Sequence, residues 1–113
     1  MRNRKSHVSC TKIRMPKCIG IFYAYSPLQL RYGELLSKRD DVVEFKANVK
    51  LDNFPLGDSY TTDFVITLAN GQTVIRECAY KDRLLKPLTI KLLDASREYW
   101  LAKGFKWGLV INE

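Results

Sequence analysis

A chain of 113 residues with 46% hydrophobic side chains can close one core and leaves little room for a second domain. Lys and Arg outnumber Asp and Glu by 19 to 12, a net charge of +7 that attracts polyanions and makes nucleic acid the leading partner. No run of ~18 apolar residues exists to cross a membrane, and Cys10, Cys18 and Cys78 form neither an even disulfide set nor a usual zinc pattern, so a soluble protein with reduced thiols is expected.

Residues 1–18 carry Arg2, Arg4, Lys5, Lys12, Arg14 and Lys17 with little apolar periodicity. They read as a basic arm preceding a domain over 19–113. Gly20 to Tyr25 is a short extended lead-in. Ser26 then suits a helix N-cap, Pro27 the first helical position and Gln29 the capping-box position. Leu28, Tyr32, Leu35 and Leu36 recur at helical spacing, predicting a helix to about Lys38, with Glu34 inside it.

From Val42 the period becomes two. Val43, Phe45, Ala47, Val49 and Leu51 alternate with mostly polar residues, which predicts a strand with those five on one face. Asn53 to Asp58 breaks it, and Tyr60 to Leu68 is the next strand. Asn70-Gly71 is a strong hairpin signal, so Gln72 to Tyr80 returns antiparallel. Pro87 opens a second helix, marked by Leu88, Ile90, Leu92, Leu93, Ala95, Tyr99 and Trp100 and stopped by Gly104. A last strand runs from Phe105 to Asn112. The order α-β-β-β-α-β predicts an α/β fold with a mixed sheet of about four strands flanked by helices. Tyr99, Trp100, Phe105 and Trp107 fall at core spacing.

Two acids stand among β-formers: Asp63 in the second strand and Glu77 in the third. A buried acid needs water, a cation or a metal to compensate it. Asp63 lies seven residues before Asn70 and Glu77 six after Gly71, so the hairpin brings them close across the ladder. Either the two carboxylates bind a divalent cation, or one of them pairs with Arg76 or Lys81 at a solvated sheet edge.

These segments resemble the PD-(D/E)xK restriction-endonuclease-like superfamily, and within it the catalytic domain of TnsA-like endonucleases. The resemblance runs from about Cys18 onward. It rests on Glu34 in Leu30-Arg31-Tyr32-Gly33-Glu34-Leu35-Leu36, on Tyr60-Thr61-Thr62-Asp63-Phe64 and on Arg76-Glu77-Cys78-Ala79-Tyr80. It implies a metal-dependent endodeoxyribonuclease, bacterial or phage-encoded and cytoplasmic, with Asp63 and Glu77 binding Mg²⁺ (or Mn²⁺) and Glu34 assisting. DNA and a transposase or other mobile-element protein are the implied partners, and a homodimer is compatible with them.

Two positions depart from the family pattern. Thr62 stands for a proline, and Ala79 stands where Glu-x-Lys requires the lysine that stabilises developing negative charge. The chain as it stands is therefore expected to be inactive. Three explanations fit: an engineered alanine, which the otherwise intact pattern favours; a naturally non-catalytic DNA-binding or regulatory relative; or a lysine migrated to Lys81, Lys86 or Lys91. Lys38, Arg39, Lys81, Arg83, Lys86 and Lys91 flank the proposed site as expected phosphate contacts.

Overall fold

The computed structural model describes the backbone of residues 2–3 and all of residues 10–112. The first helix, α1 (Pro27–Lys38), starts as its sequence dictates: Ser26 is extended and its Oγ accepts the Gln29 N–H at 3.1 Å. The second half of the capping box is displaced, because the Gln29 side chain accepts from Tyr25 N–H at 2.9 Å. The second helix, α2 (Pro87–Ala102), ends where Gly104 takes φ +86° and Phe105 N–H reaches back to the Trp100 carbonyl at 3.2 Å. A short 3-10 turn, Lys81–Leu85, precedes it. Among the described residues no helix is long and apolar enough to cross a membrane.

The sheet is mixed. Strand β4 (Val42–Lys50) pairs antiparallel with β5 (Tyr60–Leu68), which pairs antiparallel with β6 (Thr73–Ala79), and β6 pairs in parallel with β7 (Lys106–Ile111). Parallel pairing demands a crossover, and α2 supplies it. A two-residue strand, β1 (Arg2–Asn3), lies beside Tyr60 and Thr61 of β5. The α-β-β-β-α-β order and the flanked mixed sheet therefore hold. The hairpin closes with a three-residue turn: Leu68 N–H bonds the Gln72 carbonyl, Gly71 carries φ +86°, and Asn70 Oδ1 accepts the Gln72 N–H.

Of the stretch expected as a basic arm over 1–18, residues 10–18 are described in full. Thr11–Ile13 forms β2, pairing antiparallel with β3 (Phe22–Ala24), and the chain then runs beside β4, where Phe45 N–H bonds the Lys17 carbonyl and Ile19 N–H bonds the Phe45 carbonyl. Arg4 and Lys5 lie outside the described residues.

Alternation along β6 divides the core in two. Val74 and Cys78 join the cluster under α1, with Phe22, Leu36, Phe45, Phe64 and Ile66. Ile75 joins the cluster under α2, with Leu51, Phe54, Tyr60, Leu92 and Trp100. The expected single face of β4 does not hold. A bulge between Val42 and Glu44 buries Val42 and exposes Val43, and Leu51 ends on the α2 side while Phe45 faces α1.

Candidate active site

Asp63 and Glu77 meet as the hairpin offsets predict. The register Phe64↔Arg76, carried one step further, sets them opposite each other. The main-chain ladder stops at that pair, and beyond it the two carboxylates replace it. Cys78 N–H donates to Asp63 Oδ2 at 2.7 Å, and Asp63 N–H donates to Glu77 Oε1 at 2.8 Å. Each acid takes the place of a main-chain carbonyl where the strands part.

The parting coincides with a reversal of faces in β5. Phe64 and Ile66 face α1, yet Tyr60 packs under α2 and Thr62 meets the Trp100 indole there. Strict alternation would keep all four on one side, so the strand turns over at Asp63. Opposite, Asn48 in β4 sits at φ +56°, a left-handed conformation that asparagine tolerates. Its side chain is held on both sides: Gln29 Nε2 donates to Asn48 Oδ1 at 2.9 Å, and Asn48 Nδ2 donates to the Tyr23 carbonyl at 2.6 Å.

Glu77 is fully buried. Its Oε2 accepts from the hydroxyls of Tyr60 at 2.6 Å, Ser96 at 2.6 Å and Thr62 at 3.1 Å. Behind two of these stand indoles, with Trp100 Nε1 donating to Thr62 Oγ1 at 2.8 Å and Trp107 Nε1 to Ser96 Oγ at 3.1 Å. An indole can only donate. Each of those hydroxyls therefore accepts from a tryptophan and directs its own proton at Glu77, the arrangement an acceptor-only carboxylate requires. Burial pushes the Glu77 pKa up, and the hydroxyl bonds pull it back less strongly. The same burial raises the Tyr60 phenol far above its ordinary value and pushes the Cys78 thiol up to about 12.

The expected divalent cation does not fit this arrangement. Mg²⁺ dehydrates reluctantly and takes carboxylate oxygens together with several waters. Here Asp63 and Glu77 are 1% and 0% exposed, and four protein donors engage Glu77. Among the described residues no group of three or more His, Cys, Asp and Glu is placed to hold a metal.

The remaining site residues do not gather around the pair. Glu34 is exposed on α1, and the polar residue that this helix buries is Gln29, which touches Asn48 at the level of Asp63. Ala79 is buried at the end of β6 and offers no side-chain donor. Lys81, Lys86 and Lys91 are all exposed, and the chain leaves the strand before Lys81, so the alternation that would align it with Glu77 ends first.

The expected phosphate contacts fall into two groups. The N-terminal end of α1 lies by Tyr80, whose hydroxyl accepts the Leu28 N–H at 3.2 Å, and Lys81, Arg83, Lys86 and Lys91 follow from there. Lys38 and Arg39 lie at the other end of α1, roughly 18 Å away for twelve residues. Arg39 is also engaged by Asp41 through a two-pronged contact at 2.9 and 2.6 Å.

Sequence reasoning missed Tyr60, Thr62, Ser96, Trp100 and Trp107 as members of the site. The available signal was chemical: a fully buried Glu must find donors, and hydroxyls and indoles on the inner faces of neighbouring elements supply them.

A mixed sheet with helices on both faces and two acids facing each other on adjacent strands is compatible with a nuclease-like core. The chain belongs to the family of TnsA-like endonuclease N-terminal domains, whose pattern matches residues 23–112. Among proteins of curated function, none matches the chain. Membership gives a nuclease-related function.

Proposed function

We propose that this chain is a DNA-engaging TnsA-like domain of a mobile element that holds duplex DNA through its cationic surface and does not hydrolyse it. The observation that carries this reading is the state of Glu77. Its carboxylate is spent on four protein donors at full burial, beside a neutral Ala79, with Gln29 rather than an acid on the inner face of α1. A net charge of +7 supports attraction to phosphates.

Fluorescence anisotropy with labelled duplex DNA and conversion of supercoiled plasmid test it together. Binding is expected to weaken steeply with salt, by about −0.9 in the log-log slope for each phosphate contact. No nicked or linear plasmid is expected with Mg²⁺ or Mn²⁺. EDTA-sensitive nicking would overturn the non-catalytic reading, and absence of binding at low salt would overturn the DNA reading.

A second reading has one observation in its favour, the direct opposition of Asp63 and Glu77 across β5 and β6. It is a Mg²⁺-dependent endonuclease, with Mn²⁺ as substitute, in which these two acids are the ligands and Ala79 has removed the activity. In either reading a transposase or another mobile-element protein is the proposed protein partner.

A further inference from the structure

Strand β7 is the last strand of the sheet: among the described residues its one partner is β6, and its other edge carries main-chain donors and acceptors with no described strand beside them. Natural sheets guard such edges with charge, proline or a covering element. The sequence of β7, Lys-Trp-Gly-Leu-Val-Ile, has a single charge at its start and an apolar run at its end.

The flank beside this edge is apolar too. Leu109 and Ile111 pair with Glu77 and Ala79 and so face α2, and they are 38% and 39% exposed. On α2, Tyr99 contacts Phe54, away from β7. Ile90 lies nine residues earlier, about two and a half turns, and therefore on the opposite flank, towards β7, where it is also exposed. An open edge bordered by Ile90, Leu109 and Ile111 has the form of a strand-addition site, in which main-chain bonds give affinity and alternate side chains fill an apolar strip.

Charge selects the occupant. Lys106 begins β7, and Lys81 stands at its far end, its N–H donating to Asn112 Oδ1 at 2.7 Å. A second copy would bring the same cations and a further +7 into contact, which disfavours self-pairing. We infer that the free edge of β7 binds an extended segment of a partner protein in which acidic and apolar residues alternate, the apolar ones lying on Ile90, Leu109 and Ile111. This docking surface is independent of whether the chain holds or cuts DNA.

The test uses a fluorescein-labelled peptide alternating valine and glutamate, titrated with the whole chain and read by anisotropy. Saturable binding is expected, with none for a valine-lysine peptide. Leu109→Asp combined with Ile111→Asp places acids at exposed positions and is expected to weaken binding by about tenfold or more through like-charge repulsion and loss of the strip. Circular dichroism and thermal unfolding check that the pair still folds. Should it not, Lys106→Glu alone provides the same test, with an expected loss of about threefold or more. Absence of saturable binding, or binding unchanged in these variants, would overturn the inference. Dimerisation of the chain in sedimentation, reversed by the aspartates, would overturn it in favour of a second copy.

Discussion

Asp63 and Glu77 each accept an N–H from the other's strand: Glu77 takes that of Asp63 itself, and Asp63 takes that of Cys78, the residue after Glu77. Two acids placed where repulsion would be expected instead continue a ladder that the main chain abandons. Glu77→Ala would leave four buried donors without their acceptor. Each such loss costs about 1 to 3 kcal/mol, reduced where a hydroxyl can rotate to a new partner. Urea denaturation is expected to show a fall of order 3 kcal/mol at unchanged slope. A neutral effect would mean that Glu77 is not held as described.

The pH dependence follows from the direction of the Glu77 shift. Burial raises its folded pKa above the ordinary 4.5, so between that value and the raised one the native state binds more protons than the unfolded chain. Stability from this group therefore falls as pH rises through that window and levels off above it. Thermal unfolding across this range should show the decline, and Glu77→Gln should flatten it. A parent and variant with the same pH profile would count against a buried titrating carboxylate.

The hydroxyl network should behave as one unit. Ser96 joins Trp107 to Glu77 through a single oxygen, so Ser96→Ala removes a 2.6 Å bond and strands an indole N–H. A loss of about 1 to 3 kcal/mol is expected. In a double-mutant cycle Ser96→Ala and Glu77→Gln should couple by about 0.5 kcal/mol or more, because they share that bond. Simple additivity would show that the two side chains act separately.

Helix α1 packs closely on Phe22 of β3 through Gly33. A Cβ there would lie 2.5 Å from Cε2 of Phe22, a ring that is itself fully buried and cannot swing away. Gly33→Ala should gain helix propensity yet lose stability overall, by about 1 to 3 kcal/mol from overpacking. Chemical denaturation gives the sign directly, and a more stable variant would mean that the contact relaxes.

Local pattern carried most of the fold. Tyr60 to Leu68 is bounded by turn residues and rich in β-formers, and the structure gives those same limits. Asn70-Gly71 fixed the offsets that bring Asp63 to Glu77. Strand β2 escaped notice because its three residues are all exposed and carry no apolar period. Leu35 shares the helical spacing of Leu28, Tyr32 and Leu36 yet is exposed, since spacing alone does not weigh the close approach that Gly33 permits. The orientation of α1 puts Gln29 rather than Glu34 on the inner face. The donors around Glu77 were illegible for a different reason: Ser96 lies 19 residues away on a helix, and Trp107 reaches it only after the crossover. Such contacts depend on how α2 lies over the sheet, which no local period encodes.

Position 79 decides between the two functional readings. Ala79 follows Glu77 by two residues on the same face of β6 and is 4% exposed, so a lysine there would bring an ammonium next to a carboxylate already engaged by four donors. Such a group must bury four methylenes and a charge in a packed site, and Ala79→Lys is therefore expected to lower the melting temperature. It is not expected to create Mg²⁺-dependent cleavage, because one cationic donor supplies neither an open carboxylate oxygen nor an acid on the inner face of α1. Loss of a single such donor in a working enzyme costs about 10² to 10³ in rate. A gain of that order in plasmid nicking by Ala79→Lys, abolished by EDTA, would show that Asp63 and Glu77 do open to a metal and that the alanine is the only lesion in an endonuclease. An inert variant that still binds DNA is the outcome expected of a domain that has turned its carboxylate pair into part of its core.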